Sequence, residues 1–162
     1  MIAEGKMNYL IRWPCVISVL FIGVMLGGCA ATVPVMPEQY DVEAEKFLPP
    51  QGKGNIYVVR EDVFKGSGVV FKIDLDGKSC GSVAPGTYHL FELQPGQHVV
   101  SVSTQENADH KIVMVAEGMN YFVEILPKMG WMAARVSVER IDEKRGRQLV
   151  IDGKRAETLP VK

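Results

Sequence analysis

Between residues 70 and 120 the chain is punctuated by glycine-containing turn signals, Asp76-Gly77, Pro85-Gly86, Pro95-Gly96 and Gly118, the first three about ten residues apart. Each has a physical meaning. Asp-Gly accepts the positive φ at two consecutive positions that a type I′ hairpin turn demands. Pro-Gly suits a type II turn, because proline presets φ at the second position and glycine takes positive φ at the third. The runs of seven and eight residues between the first three signals are too short for helices and right for strands. The spacing therefore predicts an antiparallel β-sandwich or small barrel.

The intervening runs agree. "VVFKIDL" alternates, with Phe71, Ile73 and Leu75 on one face and Lys72 and Asp74 on the other. "NIYVVR" precedes it, and "TYHLFELQ", "QHVVSVST", "KIVMVAE" and "NYFVEIL" follow. "AARVSVERI" reads as a last strand with Ala134, Val136 and Val138 facing inward. "DEKRGRQLVIDG" predicts a short C-terminal helix capped by Asp142, with Gly146 weakening it by about 1 kcal/mol relative to alanine.

The 162 residues carry a net charge of −1, which gives no electrostatic reason to expect nucleic acid as a partner. Hydrophobicity is concentrated at the N-terminus. Lys6 and Arg12 precede the apolar run "WPCVISVLFIGVML", which is 14 residues long and short of the ~20 that span a bilayer. Positive charge, a short apolar stretch and then small residues form the pattern of an export signal. "Leu26-Gly27-Gly28-Cys29" resembles the lipobox of bacterial lipoproteins. That resemblance implies a diacylglyceryl group on the Cys29 thiol and cleavage before it. Ala30, where an Asp would favour the inner membrane, implies the outer membrane, facing the periplasm. An uncleaved membrane anchor is the alternative. Translation from Met1 or Met7 gives the same mature chain.

The expected organisation is a signal peptide over 1–28, a lipidated Cys29 and flexible tether over 29–54, a β-sandwich over 55–152 and a tail over 153–162. Pro34, Pro37, Pro49 and Pro50 break the tether, in which "PEQYDVEAEKF" forms at most a short helix. A flexible tether of this length reaches about 28 Å, enough to hold the domain clear of a lipid surface. With Cys15 in the leader and Cys29 acylated, only Cys80 remains, so no internal disulfide forms.

"FLPPQGKGNIYVVR" and "IDLDGKSCGSVAPGTYHLFELQPGQH" together resemble an uncharacterised bacterial lipoprotein family, domain of unknown function 2846, over roughly residues 44 to 150. The shared features are a Gly-Lys-x-x-Ile-Tyr-x-x-Arg opening, the Asp-Gly hairpin, Gly-Thr-Tyr and Pro-Gly-x-His. More distantly, the order of these motifs is similar to transthyretin-like and PEGA-type β-sandwiches. The resemblance implies a fold and a location, and it implies no activity.

Candidate chemistry is sparse. A hydrolase would use Cys80 with His89, His98 or His110, but Cys80 follows a hairpin turn inside a strand, where nothing lowers a thiol pKa. His89 and His98 flank Pro-Gly turns and are expected to be solvated or to cap strand ends. "DLDG" lacks both ends of a calcium loop. The three histidines stand at no metal-ligand spacing. No catalytic, metal or cofactor-binding residues are therefore expected. "KMGWMAA" is the one unusual apolar stretch: Met129, Trp131 and Met132 are expected to pack in the core, with a partner contact as the alternative. The function expected is a lipid-anchored, non-enzymatic binding or assembly accessory of the cell envelope. The alternatives are a structural component that binds peptidoglycan or another glycan, and a Cys80-dependent hydrolase.

Overall fold

The computed structural model describes residues 31–64 and 66–159; Cys29, the leader and the anchor alternative lie outside the described residues. Nine strands form two sheets: β1 (Gly54–Arg60), β2 (Phe71–Leu75), β3 (Lys78–Val83), β4 (Thr87–Leu93), β5 (Gly96–Ser103), β6 (Ala108–Val115), β7 (Asn120–Lys128), β8 (Arg135–Ile141) and β9 (Lys154–Arg155). One sheet has the order β8-β7-β1-β4-β9 and the other β3-β2-β5-β6. Most pairings are antiparallel, while β1 runs parallel to β7 and β4 parallel to β9. Two helices, α1 (Gln39–Ala44) and α2 (Glu143–Ile151), complete the described chain.

The alternation of β2 is realised: Phe71, Ile73 and Leu75 are buried, and with Val100, Val102, Val123 and Val138 they belong to the core between the sheets. Asp76 and Gly77 take φ of 52° and 77°, the two left-handed residues that join β2 to β3. Gly86 takes φ of 67° and Thr87 donates its N–H to Ala84 O, closing the expected turn. Pro95-Gly96 does not make a type II turn. Gly96 has φ of 149°, and the pair is instead the bend where the chain leaves one sheet at Leu93 and enters the other at Gly96.

A second core lies on the outer face of the five-stranded sheet. Tyr57, Val59, Tyr88, Leu90 and Phe122 pack there against Ala44, Phe47 and Val150. This makes β1 buried along its whole length, one face against each core. α2 begins where its cap was expected, with Asp142 Oδ1 accepting from Arg145 N at 3.0 Å. Gly146 is buried because the Phe122 ring fills the place a side chain would need.

The expectation of a flexible tether fails for residues 31–54. Asp41 is buried and accepts from Tyr88 Oη at 2.8 Å and from the Arg155 N–H at 2.7 Å. Tyr57 Oη donates to Ala44 O at 2.8 Å, and Phe47 packs on Tyr57 and Phe122. Nor do residues 154–159 form a free tail. Ala156 is fully buried and bridges to Val35, and Glu157 N donates to Pro34 O at 3.0 Å. A few apolar contacts and buried hydrogen bonds outweigh the prolines, all four of which lie outside the helix, where they cost it no hydrogen bond.

Candidate functional site

At one end of the sandwich lie the loops 61–70, 104–107 and 127–134. Charged side chains hold two of them from beneath.

Arg60 ends β1 and is 2% exposed. Its Nη1 donates to Val69 O at 2.6 Å and Val83 O at 3.3 Å, and its Nη2 to Gly66 O at 2.7 Å. The guanidinium also stands 4.8 Å from the Phe71 ring centroid. Among the described residues it has no carboxylate partner, and burial pulls its pKa down to about 10. A buried cation must be hydrogen-bonded to persist. Here the hydrogen bonds go to the carbonyls of the loop, so Arg60 clamps that loop to the domain.

Glu106 does the converse. Its carboxylate accepts the backbone N–H groups of Trp131 (3.0 Å), Met132 and Ala133 (2.5 Å). The Ala133 and Met132 N–H groups foremost hold its pKa below the usual carboxylate range. Next to it, Asn107 Oδ1 accepts from Val136 N and Asn107 Nδ2 donates to Val136 O. Asp109 Oδ2 accepts from Val138 N at 2.7 Å. Asn107, in the turn before β6, and Asp109, on β6, thus satisfy the backbone of β8 across the gap between the sheets.

The clamped loops turn their large apolar residues to solvent. Trp131 is 95% exposed, Met132 89%, Met129 85% and Phe64 95%. The expectation that Trp131 packs in the core is overturned, and so is that for Met129 and Met132. The backbone of 131–133 closes on Glu106, and the intervening side chains have no direction but outward. A recess of about 370 Å³ runs between Gly66 and residues 127–134, which brings the two loops side by side. Gly66 belongs there sterically, since a Cβ on it would sit 2.7 Å from Pro127 Cβ.

The remaining candidates fall elsewhere. Cys80 is fully buried and free; its thiol donates to Lys78 O, and burial pushes its pKa up. His89 is also fully buried rather than solvated. Its Nε2 lies 2.8 Å from Ser82 O and its Nδ1 3.2 Å from Thr158 Oγ1, and the ring stacks on Phe91. Burial drives its pKa down. The strand "TYHLF" is covered on both faces, which a reading of His89 as a turn-flanking residue misses. His98 does serve a turn: its Nδ1 is 2.7 Å from Asp76 Oδ2. No cluster of three or more His, Cys, Asp or Glu able to hold a metal occurs among the described residues. A second recess of about 380 Å³ beside α2 is lined by Glu61, Arg145, Gln148 and Asp152 among others. Within it Arg145 is committed to Glu124 and Glu61.

Sequence reasoning missed Phe64, Arg60 and Glu106. Phe64 had a signal, being an aromatic residue inside the polar, glycine-rich "EDVFKGSG". Arg60 closes the apolar run of β1, where an arginine has either to reach water or to find acceptors. Glu106 had no signal, because its partners are backbone groups 25 to 27 residues away.

The fold and this end of it define a two-sheet β-sandwich with a helical cover and a preformed apolar loop surface. The chain belongs to the family described as "Protein of unknown function (DUF2846)", which it matches over residues 50–139. The match holds β1 through most of β8 and both clamped loops, and it leaves out both helices and β9. No curated protein matches the chain.

Proposed function

We propose that this protein is a lipid-anchored, non-enzymatic module of the cell envelope, held by acylated Cys29, that works by docking through its apolar loop end. The observation that carries the docking reading is the exposure of Phe64, Met129, Trp131 and Met132 on loops that Arg60 and Glu106 hold in place. Single exposed apolar residues are ordinary, but four large ones on adjacent fixed loops mark an interaction surface. The anchoring reading rests on "LGGC" after a charged and then apolar leader. Ala30 in the position after the cysteine supports the outer membrane, periplasmic side. The non-enzymatic reading is supported by the state of Cys80: a nucleophilic cysteine needs a lowered pKa, and this one is buried with its pKa raised.

Metabolic labelling with palmitate tests the anchor. Wild type should be labelled and Cys29→Ala should not. Equal labelling of the two would end the anchoring reading.

A further inference from the structure

We propose that the docking partner of the apolar loop end is the phospholipid bilayer itself: the side chains of Phe64, Met129, Trp131 and Met132 sit in the interface of the leaflet that holds the Cys29 acyl chains. The inference rests on the lipid-anchored reading above and adds an orientation to it.

Where the chain enters the domain decides the matter. Ala31 donates its N–H to Ser67 O at 2.9 Å, inside the loop that carries Phe64. From there the chain has no slack. Glu157 N donates to Pro34 O at 3.0 Å, Val35 bridges to Ala156, and Met36 N donates to Arg155 O at 2.8 Å. Residues 31–36 are thus fastened along the body of the domain instead of forming a spacer. Cys29 precedes Ala31 by two residues, and covalent geometry keeps their Cα atoms within about 7 Å. An acylated cysteine has its attachment point at the boundary between headgroups and acyl chains. The loop end of the domain is consequently brought to that boundary and cannot stand clear of it.

The residues found there suit the place. Interfacial segments bury apolar side chains roughly 5–10 Å into the headgroup and acyl boundary. Tryptophan is enriched at that depth because its ring is apolar and its N–H wet. Charge raises no obstacle. Glu106 has its carboxylate turned to the backbone N–H groups of 131–133. Exposed Arg135 at the start of β8 and exposed Asp62 near Phe64 offset each other, and Lys128 at the end of β7 lies 3.9 Å from Glu139, so the surface carries no excess of negative charge. No described helix is long and apolar enough to cross a membrane, and a surface-seated domain needs none. The clamps supply pre-organisation, since the two loops hold their shape before lipid is met.

The chain has two tryptophans, Trp13 and Trp131. Cleavage before Cys29 removes Trp13, leaving Trp131 as the sole reporter in the mature protein. The mature protein, purified from envelopes, is weighed by mass spectrometry for its acyl groups and reconstituted into phosphatidylethanolamine–phosphatidylglycerol vesicles. Emission at short wavelength, protection from aqueous iodide and strong quenching by acyl-chain-brominated lipid are expected together. An acylated protein whose Trp131 emits at long wavelength and is quenched by iodide overturns the inference and leaves the anchor intact. Iodide protection without quenching by brominated lipid also overturns it, and assigns the surface to a protein, a second copy included. A mass without acyl groups overturns the anchoring reading and the inference with it.

Discussion

Breaking the Glu124–Arg145 pair should be strongly asymmetric. Glu124, on β7, has a side chain only 3% exposed, whereas the Arg145 side chain on α2 is 44% exposed. Arg145 holds the carboxylate with two bonds, Nε to Oε2 at 3.0 Å and Nη2 to Oε1 at 2.7 Å, and Nη2 also reaches Glu61 at 3.2 Å. In Arg145→Met the carboxylate stays where β7 places it, buried and unpaired, which costs about 3–5 kcal/mol. In Glu124→Gln the guanidinium keeps water, Glu61 and one acceptor on the new amide. That loss should be about 1–2 kcal/mol, the scale of a charged hydrogen bond weakened to a neutral one. The double variant Glu124→Met with Arg145→Met removes the stranded charge and should recover most of the single-variant cost, since apolar replacements of buried pairs are often neutral or better. Urea unfolding of residues 31–162, with m-values compared to confirm a common unfolded state, measures all three. Equal losses for the two single variants, or a larger loss for Glu124→Gln, would refute the argument.

Three further outcomes follow from the same geometry. Trp131→Ala should leave the thermal midpoint near that of the parent, because a side chain 95% exposed has no core contacts to lose; a drop of many degrees would place it in the core after all. Gly146→Ala should lower stability by about 1–2 kcal/mol in urea: the helix gains up to ~1 kcal/mol of propensity, but the new Cβ collides with the fixed end of Phe122 and overpacking costs about 1–3 kcal/mol. His98→Gln should cost at most about 1 kcal/mol, Asp76 being 43% exposed, and the cost should depend on pH. Ring burial works against charging His98, but the Asp76 bond, Gln94 O and the Asp76 charge together raise its pKa. Its contribution is therefore full below about pH 6.5 and fades as pH rises through the folded-state value. For Asp76 burial is likewise outweighed, by the His98 bond and the Val99 N–H, so its pKa is depressed. Its share is present above about pH 3.9 and is lost as pH falls through the folded-state value. The wild-type advantage over the variant, measured by urea unfolding at a series of pH values, should shrink from pH 6 to 8.5; a constant difference would show that the pair carries no charge coupling.

The features legible in the sequence are those that depend on neighbours in the chain. Asp76-Gly77, Pro85-Gly86, the alternation of Phe71, Ile73 and Leu75 and the Asp142 cap are settled by φ, pleat and a bond three residues away. What escaped reading depends on distant partners. Asp41 looks like a linker residue until Tyr88 and Arg155 arrive to bind it, 47 and 114 residues further on. His89 looks exposed beside a turn until Ser82 of β3 and Thr158 near the C-terminus close over it; its neighbours Tyr88 and Leu90 face the other way, under the helical layer. One signal of that cover was present. "NIYVVR" and "TYHLF" do not alternate cleanly between apolar and polar, as strands covered on both faces need not. At the loop end, Trp131 was singled out by composition, but its direction was decided by Glu106.

The parallel pairing of β1 with β7 has a consequence for how the chain becomes native. Asn55 faces Asn120 across that ladder, so the central strand must wait for a segment 65 residues downstream. The β2–β3 and β5–β6 hairpins, by contrast, close over a few residues and lie wholly between those two partners. Loop-closure entropy favours the hairpins first and leaves the long-range ladder for a later, slower step. A chain delivered from its N-terminus would then pair one edge of β1 with β4 and hold the other edge of this fully buried strand open until β7 appears. Pulsed hydrogen exchange during refolding should show β5–β6 amides protected before those of β1; simultaneous protection would contradict this order. The four-stranded sheet acts in effect as a template, and the five-stranded sheet is finished around it.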